Sequence, residues 1–163
     1  VQNDPVYLIG PLCNEYDQNC LGDNWDAAYQ LLPPRSLDHD EIYAVAGTLG
    51  TKTGNATYVG LSVNQRSRLK GVMNIPNEDL EGTAGGYSAE VSNTDKLFLV
   101  YFTRDCSGLK DLTDDHCIEV PTTLIPTGDS LVLAVRDYIK PETQRAPDSS
   151  LVLPSRVLKL QKP

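Results

Sequence analysis

The chain has 163 residues, 40% of them hydrophobic and 22% charged, an ordinary make-up for a soluble globular domain, and its length predicts a single β-rich domain over residues 1–163. A net charge of −8 argues against a nucleic-acid partner or an anionic membrane surface, since both are bound through Lys and Arg. No stretch approaches the roughly 18 consecutive apolar residues of a transmembrane helix, so membrane insertion by that route is excluded.

In chain order, Val6 to Ile9 is a short apolar run stopped by Gly10-Pro11 and reads as a first strand. A polar loop with Cys13 and Cys20 follows. Trp25, Ala28, Tyr29 and Leu32 recur at helical spacing, which predicts one short helix near residues 24–32, ended by Pro33-Pro34. The period then changes to two. Ile42 to Leu49 and Thr57 to Val63 alternate around a Gly- and Thr-rich tip, which predicts a β-hairpin with that tip exposed.

Arg68 to Ile75 reads as the next strand, and Tyr87, Ala89 and Val91 suggest another after an acidic, Gly-rich loop. Leu97 to Phe102 is apolar at every position, so it predicts a central strand covered on both faces. Ile118 to Ile125 is broken by Pro121 and belongs at an edge. Leu131, Leu133 and Val135 mark a long strand, and Leu151 to Leu160 supplies the last. Ser130–Arg136 and Ser150–Arg156 share five of seven residues and read as two strands in similar settings. The expected fold is all-β: an antiparallel sandwich or barrel of about 8–9 strands with one short helix.

The four cysteines fall into two local pairs whose gaps do not match zinc-site spacings. Two loop-closing disulfides, Cys13–Cys20 and Cys106–Cys117, are expected, each stabilising by roughly 2–3 kcal/mol and implying an oxidising compartment. Asn55-Ala56-Thr57 is an N-glycosylation sequon on the expected hairpin tip. Together these features predict a secreted, extracellular protein.

Catalytic signatures are lacking. The sequence has no G-x-S-x-G, H-E-x-x-H or G-x-G-x-x-G arrangement, and both histidines, His39 and His116, sit among carboxylates. Ser107 is the only serine in a suggestive setting, and it reads as structural. No cofactor is called for. The one cation for which ligands are on offer is calcium, at Asp111, Asp114 and Asp115 or at Asp38, Asp40 and Glu41, neither with EF-hand spacing. Tyr43, Tyr58, Tyr87 and Tyr101 fall in separate expected strands, and if they shared one concave face they would stack on sugars or line an apolar pocket.

The expected function is a secreted, disulfide-stapled, non-catalytic binding or assembly module for a carbohydrate, a small ligand or a protein partner. The alternatives are a barrel-type carrier of a small hydrophobic ligand and a carboxylate-dependent hydrolase.

Overall fold

The computed structural model describes residues 7–9, 26–68 and 70–162. Among these residues ten strand segments form two sheets. The larger sheet contains β1 (Tyr7–Ile9), β2 (Ala27–Leu31), β3 (Arg35–Ser36), β5 (Tyr58–Gln65), β6 (Lys70–Ile75) and β9 (Ser130–Tyr138). Its order is β1-β2-β9-β5-β6, with β3 paired to β9 beyond β2. The smaller sheet contains β4 (Glu41–Thr48), β7 (Leu97–Thr103), β8 (Cys117–Glu119) and β10 (Arg156–Gln161), in the order β10-β4-β7-β8. Both orders are open paths, so the fold is a sandwich and the barrel alternative is set aside. Tyr43, Phe98, Phe102, Leu61, Val59 and Leu133, each at most 2% exposed, fill the space between the sheets.

The helix expected near residues 24–32 is replaced by β2, antiparallel to both β1 and β9. Four apolar positions at helical spacing are too few to choose the period, and two flanking ladders satisfy the β2 backbone better than one isolated turn of helix would. Pro33 and Pro34 carry no amide hydrogen, and the pairing with β9 is interrupted there before resuming at β3.

The expected hairpin also fails as a hairpin. Both of its strands form, as β4 and β5, but in different sheets. The tip is the helical turn α1 (Gly50–Thr53), closed by Gly54 at φ 74°, a left-handed conformation suited to glycine. Ala56 and Asn55 both return their amides to the Gly50 carbonyl, so the segment folds inward and hands the chain from one sheet to the other.

Leu97 to Phe102 is central, as expected, between β4 and β8. Its partner β8 runs parallel to it, which requires a long crossover, residues 104–116, carrying α3 (Lys110–Thr113). The Cys106–Cys117 disulfide closes that crossover. The pair Cys13–Cys20 lies outside the described residues. Arg104 ties the same corner: its buried guanidinium donates to the carbonyls of Leu37, Val120 and Ile125 at 2.7–2.9 Å. Of the two similar heptads, Ser130–Arg136 lies within the central strand β9. Residues 150–155 instead form the end of a 3₁₀ turn and a loop before β10, in which Val152 and Ser155 are buried but Leu151 is 61% and Leu153 67% exposed. The segment 87–91 is a 3₁₀ turn and bends rather than a strand.

Candidate functional site

Alternation along β7 sets the site. Phe98, Val100 and Phe102 point into the core, so Leu97, Leu99 and Tyr101 face outward from the smaller sheet. Their neighbours on that face are small: Ala46 stands opposite Leu99, and Ala44 opposite Tyr101. On the far side of β4, Arg156 and Leu158 of β10 extend the same two rows. One end of this apolar face is covered, because Leu109 of the disulfide-closed crossover packs on Ile42, Ala44 and Tyr101. The other end, over Ala46, Leu97 and Leu99, is open.

Two loops raise walls around that open end. The first joins β6 to β7 and contains α2 (Asn77–Leu80), with Leu80 and Ala84 buried beneath it. Thr83 anchors it by donating to the Leu80 carbonyl and accepting from the Leu99 amide at 3.0 Å. The Tyr87 hydroxyl meets that of Tyr101 at 2.8 Å. The second wall is the loop before β10. There the Leu153 amide donates to Thr48 Oγ1 at 3.1 Å, and the Ser155 amide donates to the buried Gln30 side chain at 2.7 Å.

The result is a half-open groove of about 440 Å³, lined by Ala46, Leu99, Tyr87, Val91, Leu153 and Leu158 among others. Such a volume falls within the range of small-molecule sites. Among the described residues its lining includes one charged side chain, Arg156, and no acid or histidine. Gly47 at the floor is obligatory: a Cβ there would lie 2.5 Å from the Phe98 ring and 2.8 Å from Ser155 Oγ.

The four tyrosines singled out from the sequence lie on three different surfaces. Tyr43 is in the core, its hydroxyl donating to the Ser36 carbonyl, and burial with the nearby Glu41 carboxylate pushes its pKa up to about 12. Tyr58 lies on the outer face of the larger sheet, edge-on to Tyr138 with ring centroids 5.9 Å apart; the Arg136 guanidinium sits 3.8 Å from the Tyr138 ring centroid. Only Tyr87 and Tyr101 meet, where the wall of the groove reaches its covered end. One concave tyrosine-lined face is therefore not formed. Leu99, Ala46, Leu153 and Leu158 were missed because the sequence reading treated every apolar residue of these strands as core; the runs of apolar residues on both faces of β7 were the available signal.

The acidic clusters are engaged in other ways. Asp115 pairs with Lys110 at 2.8 Å, and Asp114 Oδ2 occupies the space a Cβ on Gly86 would need. Glu41 pairs with Lys159 and accepts from the Asp38 amide; burial alone would raise its pKa, but these partners bring it below the usual carboxylate value. Among the described residues no three His, Cys, Asp or Glu groups are arranged to hold a metal ion, so Asp111, Asp114 and Asp115 are not brought together as a site. A smaller cavity of about 200 Å³ between β6 and β8 is lined by Asn74, Asp79, Thr83, Asp115 and His116 with Ile75 and Val100. His39 lies elsewhere, exposed in the turn before β4.

The sequon is not on an exposed tip. Asn55 is 5% exposed, and its Nδ2, the atom a glycan would modify, donates to the Asp148 carbonyl at 2.9 Å. No protein-family model matches the chain, and a search of curated proteins finds no matching relative.

Proposed function

We propose that this protein is a secreted, non-catalytic binding module that holds a small apolar ligand in the open groove on the outer face of its smaller sheet. The observation that carries this reading is the groove itself: a concave, water-exposed site lined almost wholly by hydrocarbon. Leaving Leu153, Val91, Tyr87 and Leu158 in water costs about 25 cal/mol for each Å² of apolar surface, a cost a bound ligand removes. Small side chains in the floor give depth, while walls pinned by side-chain hydrogen bonds keep the site formed before the ligand arrives. A sugar platform is less well supported, since no row of the four tyrosines is presented on one surface. The Cys106–Cys117 disulfide is consistent with an oxidising, extracellular setting.

The test is titration with Nile red, a neutral dye whose emission shifts to the blue on leaving water. Binding by the wild-type protein, lost in Ala46→Phe and in Leu153→Asp with the circular-dichroism spectrum unchanged, is the expected result. No spectral shift with wild-type protein, or equal binding by Ala46→Phe, would overturn the reading.

A further inference from the structure

We infer that the ligand of the groove is a single-chain anionic amphiphile, a long-chain carboxylate, with its hydrocarbon tail along Leu99, Ala46 and Leu153 and its head group on Arg156. This inference rests on the groove being a ligand site and adds the class of ligand. Its basis is the placement of charge. Arg156 is the only charged side chain lining the groove among the described residues. It lies on the outer face of β10, level with Ala46 and Leu99 across the sheet, and its exposed side chain lines the groove.

Three other cations are engaged in ion pairs: Lys159 with Glu41, Lys52 with Glu81, and Lys110 with Asp115. Arg156 has no hydrogen-bond, ion-pair or aromatic partner among the described residues. An unpaired guanidinium beside hydrocarbon is matched by a ligand that joins a hydrocarbon chain to a planar anion, because the fork of N–H donors accepts a carboxylate through two parallel hydrogen bonds. The rest of the molecule sharpens the point. With a net charge of −8, the surface as a whole repels anions, so an anionic ligand requires a local cation where it docks. Once the tail displaces water from the groove, the lower local dielectric strengthens that contact.

The experiment is displacement of Nile red by dodecanoate, dodecanol and dodecylammonium, each below its aggregation concentration, from wild-type protein and from Arg156→Gln. Dodecanoate is expected to displace the dye about tenfold more tightly than dodecanol, with dodecylammonium weakest, equivalent to about 1.4 kcal/mol for the head group. In Arg156→Gln, with each displacement referred to that variant's own dye affinity, the carboxylate advantage over dodecanol should vanish, and added salt should erode the advantage in the wild type only. Equal displacement by dodecanoate and dodecanol would overturn the anionic assignment and leave the apolar groove standing. A carboxylate preference that survives Arg156→Gln would overturn the role of Arg156. Failure of the dye itself to bind marks the loss of the groove reading, and this inference falls with it.

Discussion

The hydroxyl of Tyr87, on a loop and 41% exposed, is hydrogen-bonded at 2.8 Å to that of Tyr101, on a central strand and 4% exposed. The contact ties a wall of the groove to the central strand at its covered end, and the two partners differ in what they lose when it is broken. Tyr87→Phe strands the buried Tyr101 hydroxyl and is expected to cost roughly 1–3 kcal/mol. Tyr101→Phe leaves the Tyr87 hydroxyl free to meet water and should cost about 0.5–1.5 kcal/mol. Urea unfolding of both variants checks the order; equal losses would show that the pair is not sealed from solvent.

Stability should fall as pH rises toward neutrality. Asp137 is 2% exposed with Oδ1 lacking a hydrogen-bond partner, and burial pushes its pKa up to about 7 from an ordinary 3.8. Between those values the folded protein holds a proton that the unfolded chain has released, so the contribution of this residue declines with increasing pH and levels off above about 7. The full effect is on the order of 4 kcal/mol. Asp137→Asn should flatten the profile between pH 5 and 8 and raise the melting temperature at pH 8. A wild-type profile that rises monotonically across that range, unaltered by the substitution, would contradict it.

The sequon should be unmodified in folded protein. A glycan on Asn55 Nδ2 would break its hydrogen bond to the Asp148 carbonyl and open a buried corner. Protein made in a eukaryotic secretory host is expected to show no mass change at residue 55 on treatment with peptide N-glycosidase. Asn55→Asp, which removes the donor and buries a charge against a carbonyl, should destabilise by roughly 2–4 kcal/mol. A glycan on Asn55 in material of normal stability is the opposing result.

Replacing Cys106 and Cys117 together by serine should cost about 3 kcal/mol, from the entropy of the loop that the disulfide closes. It should also loosen the crossover whose Leu109 covers Ile42, Ala44 and Tyr101. Increased binding of an apolar dye to the variant, beyond that at the open groove, checks this second effect. A variant as stable as the wild type would assign the covering of that face to packing alone.

Much of the layering was legible in the sequence because it depends on periods that side chains carry with them. Two-residue alternation in Tyr58–Gln65 and Ser130–Tyr138 fixes which rows are buried, and the continuous apolar run of β7 demands a central place. Cys106 and Cys117, eleven positions apart, could be paired by proximity alone. β2 was misread because its apolar positions fit both periods over so short a span, and its strand geometry is dictated by the backbones of β1 and β9 on either side.

Local pattern determined the all-β class, most of the strands and the disulfide of the crossover, while the open edges of both sheets decided for a sandwich over a barrel. Tertiary structure alone decided that β4 and β5 part into different sheets, that Asn55 turns inward, and that similar heptads end up in a core strand and in the half-buried loop before β10. It also decided the groove. A sequence can show that Leu97, Leu99 and Tyr101 are apolar, but whether such a row is covered depends on where distant loops fall. Here the crossover reaches only Tyr101, leaving Leu97 and Leu99 as the floor of the open groove.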